Sequence, residues 1–189
     1  MNNQGQTHKK SLIFLTGFMG SGKSTVGPIL ANTIGFEYLD VDKCIERRAG
    51  KKVVDIFQSD GEAVFRTHEQ TMLRELAARR QCVIALGGGT IANEENFHLV
   101  SRNGVLIYLK LSPEEILQRV QHRNDRPMLK DADGKLLAPP ELERRIRELL
   151  AHREPYYSRA DIVIEADALR VGVTVDEIVK HLRGLIGKE

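Results

Sequence analysis

No stretch of this sequence approaches the roughly 20 consecutive apolar residues that span a bilayer, and the polar segment from Met1 to Lys10 contains no apolar signal region. Neither a membrane span nor a leader is expected. Cysteine is scarce. Cys44 and Cys82 show neither CxxC nor Cys/His metal spacing, so a reduced, cytoplasmic protein is the simplest reading. Excess charge is lacking too: a net charge of +2 does not advertise a polyanion such as DNA, and no nucleic-acid partner is expected. There is no internal repeat and no interdomain linker. The 189 residues suit one domain with a core of its own, here residues 11–189 behind a loose tail of residues 1–10.

Against these absences stands one dense motif. Leu12 to Leu15 is a short apolar run suited to a strand buried on both faces, and Gly17-Phe-Met-Gly-Ser-Gly22-Lys23-Ser24 fits the G-x-x-x-x-G-K-[ST] P-loop pattern. A polyphosphate needs many donors converging from one side. Glycines let successive N–H groups turn inward, the next helix adds its N-terminal N–H groups, and Lys23 adds an ammonium. Ser24 supplies a hydroxyl suited to Mg²⁺. Nucleotide binding follows.

Beyond the loop, Val26, Ile29, Leu30 and Ile34 recur at helical spacing and Gly35 stands at the C-terminal cap position. Pro28 breaks the pattern and predicts a bend or relaxed turn. Phe36 to Asp40 reads as a second strand, with Asp40 and Asp42 at its C-terminal end, the edge where open α/β sheets bind ligands. Short and long helices follow, over Lys43–Ala49 and from the Ser59-Asp60-Gly61 turn to about Ala78, the second carrying Arg66 near its start. Cys82 to Leu86 is a third strand, running straight into Gly87-Gly88-Gly89-Thr90, backbone suited to coming very close to a ligand.

A helix around Asn93–Val100, a strand from Val105 to Lys110 and a helix begun by Ser112-Pro113-Glu114-Glu115 come next. The polar segment of about residues 122–140 predicts a lid. Helical spacing returns with Leu142, Ile146, Leu149 and Leu150. A last strand is expected at Ile162–Ile164 and a last helix capped by Thr174-x-x-Glu177. Strands alternate with helices throughout, which predicts one parallel sheet flanked by helices on both faces.

Phosphoryl transfer is mostly positioning and charge stabilisation. The cradle is Gly17 to Ser24; Asp40 and Asp42 are placed for metal and acceptor; Arg119, Arg123 and Arg126 could clamp phosphates; Arg66 and Arg153 remain for the acceptor. A Walker-B strand would end in an Asp, yet Val83-Ile84-Ala85-Leu86 runs into glycine and no NKxD follows. Regulatory GTPase and motor readings lose support, and Asp40 becomes the natural carboxylate for the metal.

In its ordered set of segments, GFMGSGKST, YLDVDKCIE, GEAVFRTHE, LGGGT, RNDRPML and HREPYYSRAD, the chain resembles the shikimate kinases from Leu12 to about Leu185. The resemblance implies a single-domain α/β fold like that of nucleoside monophosphate kinases, with five parallel strands ordered 2-3-1-4-5. It implies MgATP-dependent phosphorylation of shikimate's 3-hydroxyl on the route to chorismate and the aromatic amino acids, by a monomer. Gly20, Ser21, Gly22, Lys23, Ser24 and Thr25 would hold the ATP phosphates, with Arg119 against the adenine and Arg126 over the transferred phosphoryl group. Ser24 and Asp40 would hold Mg²⁺. Asp42 would orient or deprotonate the attacking hydroxyl, and Arg66, Arg153 and the N–H groups of Gly88 and Gly89 would take the carboxylate. Two departures stand out, Pro28 and the missing proline between Asp167 and Val175. Rival readings are another small-molecule kinase, such as a gluconate or nucleoside monophosphate kinase, and a P-loop sensor that binds without catalysis.

Overall fold

The computed structural model describes residues 10–121, 127–131, 133–166 and 170–186. Among them, five strands form one sheet in the order β2-β3-β1-β4-β5, and every pairing is parallel. β1 (Leu12–Thr16) is central between β3 (Cys82–Ala85) and β4 (Val105–Lys110), with β2 (Glu37–Asp40) and β5 (Ile162–Glu165) at the edges. The strand order is the one the resemblance implied.

Side chains along β1 alternate between the two faces, as the two-residue period of a strand requires. Leu12 and Phe14 join a core shared with α2 (Val41–Ala49), α4 (Glu62–Leu76) and α5 (Glu94–Asn103). Ile13 and Leu15 join the opposite core, under α1 (Lys23–Ile34) and α8 (Val171–Leu182). A third cluster lies beyond the sheet's C-terminal edge. There Phe18 meets Ile116 and Val120 of α6 (Pro113–Val120), Leu129, and Leu142, Ile146 and Leu149 of α7 (Pro139–Tyr157). Among the described residues no helix is long and apolar enough to cross a membrane.

Several boundaries differ from the sequence reading. Asp42 does not sit on the β2 end: the strand stops at Asp40, which also caps α2 by accepting the Lys43 N–H at 3.0 Å, so Asp42 lies in the first helical turn. A short α3 (Val53–Ser59) follows, which the sequence pattern does not predict. α8 starts a turn before Thr174, whose hydroxyl bonds back to the Arg170 carbonyl at 3.3 Å instead of capping; threonine inside a helix commonly does so. α7 continues well past Leu150, through Pro155, to Tyr157. α1 is an uninterrupted helix with Pro28 on its exposed side. Its C-terminus is closed by Gly35 at φ 75°, as expected.

Of the predicted lid, residues 122–126 and 132 lie outside the described residues. Its described part is anchored at several points. Pro127–Leu129 forms a 3-10 turn, Lys130 bridges Leu136, and Leu129 is fully buried. Of the predicted tail only Lys10 is described; it bridges Ile186 and donates to the carbonyls of Ser101 and Gly104 at 3.0 and 2.7 Å.

Candidate active site

The loop from Gly17 to Gly22 joins the central strand to α1 at the sheet's C-terminal edge. Gly17 has φ 142°, and a Cβ there would lie 2.6 Å from the Leu109 carbonyl oxygen. Only glycine fits. Lys23 folds along the loop, its Nζ donating to the carbonyls of Gly17 at 2.7 Å and Phe18 at 3.1 Å and to Ser21 Oγ at 3.2 Å. The ammonium is thus held on the loop that the P-loop pattern assigns to phosphates.

Facing the loop across a cavity of about 770 Å³ is the glycine turn after β3. Gly20, Ser21, Gly22, Lys23, Ser24, Thr25, Asp40, Asp42, Arg66, Gly88, Gly89, Arg119 and Arg153 all line this one cavity. Arg123 and Arg126 lie outside the described residues. The two loops nearly touch, for a Cβ on Gly88 would be 3.6 Å from the Gly17 carbonyl oxygen. The same Cβ would lie 3.3 Å from Arg153 Nη1, and one on Gly89 would lie 2.8 Å from Arg66 Nη2. Both guanidinium groups thus rest directly on glycine backbone.

Arg66 comes from the first half of α4. Glu69, one turn further on, accepts from Arg66 Nη1 at 2.7 Å and Glu62 accepts from Nη2 at 3.0 Å. Glu69 is only 1% exposed. Its other oxygen takes the Thr90 hydroxyl at 2.5 Å, and the Thr90 carbonyl takes Asn96 Nδ2 at 2.7 Å. A buried carboxylate is retained at low cost only when paired and hydrogen-bonded, and this one fixes Arg66 against the glycine turn. Asp42 is a close neighbour: its Oδ1 would be 3.2 Å from a Cβ on Gly87.

Arg153 is 5% exposed and lies over the Phe18 ring with Cζ 5.4 Å from the centroid. It belongs to the inward stripe of α7, Leu142, Ile146, Leu149, Arg153 and Tyr157. Tyr157 donates its hydroxyl to the Gly88 carbonyl. Burial pushes the Tyr157 phenol up to about 12, against the opposing pull of Arg153. The sequence reading missed Glu69, Thr90 and Tyr157. Two signals were present: Glu69 follows Arg66 at i+3 on one helix face, and the apolar period of α7 runs on through Arg153 to Tyr157.

Two oxygen donors fit a hard cation. Ser24 stands exposed in the first turn of α1, and Asp40 holds the Lys43 N–H with Oδ1 while its Oδ2 lies 3.4 Å from the Tyr38 hydroxyl. Burial, then the charge of Asp40, raises the Tyr38 phenol above its ordinary range, which keeps it a donor toward that carboxylate. Among the described residues no group of three or more His, Cys, Asp or Glu is arranged to hold a metal. A cation between Ser24 and Asp40 would complete its shell with phosphate and water oxygens, as Mg²⁺ commonly does. Arg119 is held at the P-loop, its Nη1 donating to the Gly20 carbonyl at 3.1 Å and its Nε to Glu115 at 2.7 Å.

Residues 19–183 match the family model described as shikimate kinase. A shikimate kinase of Chlorobaculum tepidum is 49% identical over 172 residues, covering 91% of this chain and 90% of its own. Among solved structures, the shikimate kinase of Acinetobacter baumannii in complex with shikimate superposes with a TM-score of 0.82 at 35% identity, over 90% of this chain and 92% of that one. The enzyme of Bacteroides thetaiotaomicron gives 0.83 at 32% identity, over 92% and 98%. A likeness that holds at nearly half of all positions, extends over nine-tenths of both sequences and keeps the same backbone is one of descent, and this chain belongs to the shikimate kinase family.

Proposed function

We propose that the cavity carries ATP over the P-loop and shikimate against the glycine turn, and that the γ-phosphoryl group passes to the 3-hydroxyl of shikimate. One observation carries this reading: Arg66 and Arg153, supplied by different helices, converge on Gly89 and Gly88, directly across from the phosphate loop. Two guanidinium groups beside backbone N–H groups suit a planar carboxylate. The glycines allow the substrate to lie flat on the main chain.

In this reading Gly20, Ser21, Gly22, Lys23, Ser24 and Thr25 hold the phosphates. Lys23 exchanges the loop carbonyls for phosphate oxygens. Ser24 and Asp40 would hold Mg²⁺, which when bound neutralises charge on the β and γ phosphates. Arg66 and Arg153 fix the carboxylate end of shikimate, so its hydroxyl end meets Asp42. Asp42 orients that hydroxyl and accepts its proton as the oxygen bonds to phosphorus and the bond to the β-phosphate oxygen breaks. Arg119, anchored on Gly20 and Glu115, closes the nucleotide side, and the role of Arg126 at the transferred group rests on the resemblance alone.

ADP release measured with shikimate, gluconate and nucleoside monophosphates as alternative acceptors, with and without Mg²⁺, tests the reading. Turnover that depends on shikimate and on Mg²⁺ is expected. ADP release with gluconate or a monophosphate but not shikimate would assign the pocket to another acceptor, and shikimate binding without turnover would make the chain a sensor.

A further inference from the structure

The glycine turn offers an approaching carboxylate both N–H donors and C=O groups that would repel it, so the direction of each peptide decides whether the turn attracts or rejects it. The carbonyls are all engaged. The Gly87 oxygen accepts from the Thr90 N–H and the Gly89 oxygen from the Ala92 N–H, both at 3.1 Å, which are local turn bonds. The Gly88 oxygen is held from outside the turn, by the Tyr157 hydroxyl. In a planar trans peptide the C=O of Gly88 and the N–H of Gly89 point to opposite sides. Holding one aims the other.

We propose that Tyr157 is a positioning residue for the acceptor's carboxylate: by taking the Gly88 carbonyl on the buried side it turns the Gly89 N–H toward Arg66 and the cavity. This rests on the reading of Arg66, Arg153 and the glycine turn as the carboxylate site. The phenol is itself well fixed. Its ring is fully buried and packs on Tyr108 with centroids 4.9 Å apart, and the Tyr108 hydroxyl is tied to Glu154 at 2.8 Å. Burial keeps Tyr157 protonated throughout the neutral range, so it donates and cannot pull the peptide the other way. Glycine at both positions lowers the barrier to a peptide flip, since neither residue has a Cβ to oppose it. An external clamp on this peptide therefore has something to do.

Tyr157→Phe removes the clamp and keeps the ring. Initial rates with shikimate and ATP varied in turn are expected to show a rise of about tenfold in the shikimate KM, the scale of one charge-assisted hydrogen bond, with kcat and the ATP KM within about twofold. Shikimate with its carboxylate reduced to a hydroxymethyl group should bind wild type and Tyr157→Phe alike. An unchanged shikimate KM, or an equal loss for the reduced analogue, overturns the proposal. Arg66→Lys measured in parallel separates the two levels. If it raises the shikimate KM while Tyr157→Phe does not, only the clamp falls; if it leaves the KM unchanged, the carboxylate reading falls and the clamp with it. Should Tyr157→Phe not fold, tyrosine fluorinated beside the hydroxyl at position 157 keeps the shape but ionises at lower pH. Shikimate affinity should then fall as that phenol loses its proton, and a flat pH profile overturns the clamp.

Discussion

Replacing Gly89 by alanine separates the space a residue occupies from the backbone it requires. Gly89 does not use the left-handed region, so alanine meets no backbone strain, but its methyl group would lie 2.8 Å from Arg66 Nη2, 3.0 Å from Nη1 and 3.2 Å from Cζ. Ordinary contact begins near 3.4 Å, so the guanidinium must withdraw by about 0.6 Å, the difference between 3.4 and 2.8 Å. Arg66 is the free end of a flexible side chain, yet it is moored to Glu69 at 2.7 Å and Glu62 at 3.0 Å. Withdrawal strains those bonds without opening the core. The fold should lose no more than about 1 kcal/mol, a change of roughly 2–4 °C in Tm for a chain of this size. The carboxylate of shikimate, by contrast, loses an aligned donor pair worth about 1.5–3 kcal/mol, raising the shikimate KM by about 10- to 100-fold with the ATP KM unchanged. A coupled assay of ADP release, run beside thermal unfolding, reads both. A folded Gly89→Ala protein with the wild-type shikimate KM would refute the placement of Arg66 on the acceptor, and an equal rise in both KM values would refute the division of the cavity into two ends.

Asp42→Asn should lower kcat by about 10²- to 10⁴-fold, the range of general acid–base assistance, while nucleotide binding measured by calorimetry is kept; equal losses in both would make Asp42 structural. Glu69→Gln removes the charge that moors Arg66 and takes the Thr90 hydroxyl. It should cost about 1–3 kcal/mol in denaturant unfolding, less than a wholly buried pair because Arg66 is partly exposed, and should raise the shikimate KM, whereas unchanged values in both measurements would exclude that mooring. The phenols of Tyr38, Tyr108 and Tyr157 are all raised, chiefly by burial. In the unfolded chain they ionise near 10, so stability is complete below that pH and declines above it; for Tyr157, up from 10.0 to about 12, the loss reaches about 2 kcal/mol by pH 12. Denaturant midpoints that stay level between pH 9 and 12 would contradict this.

The parts legible from sequence are those whose chemistry is local. The P-loop announces itself because its glycines, Lys23 and Ser24 are contiguous, and β1 because a strand buried on both faces is an unbroken apolar run. Asp40 and Gly87 to Gly89 follow from standing at strand ends, and Asp42 from lying two residues beyond one. What stayed hidden depends on contacts between distant segments. Tyr157 continues the period of α7, but the charge of Arg153 on the inward stripe reads as its end until Phe18 and the glycine turn are seen packed against it. Thr174 has the pattern of a cap and spends its hydroxyl on the turn before it. The short α3 has too few residues to display a period.

The inward stripe of α7 has a consequence for how this chain can change over time. Leu142, Ile146 and Leu149 fill the cluster around Leu129, while Arg153 and Tyr157, further along the same face, meet the glycine turn. An α-helix of 19 residues is a rod of about 28 Å that transmits rotation and sliding with little give. A larger or smaller side chain near Leu129 costs stability, because the cluster is buried, and it also bears on the seating of Arg153, which is carried by the same rod. Drift in that distant cluster is thus filtered by substrate affinity as well as by stability, and compensating changes there should come in pairs that preserve the height of the rod.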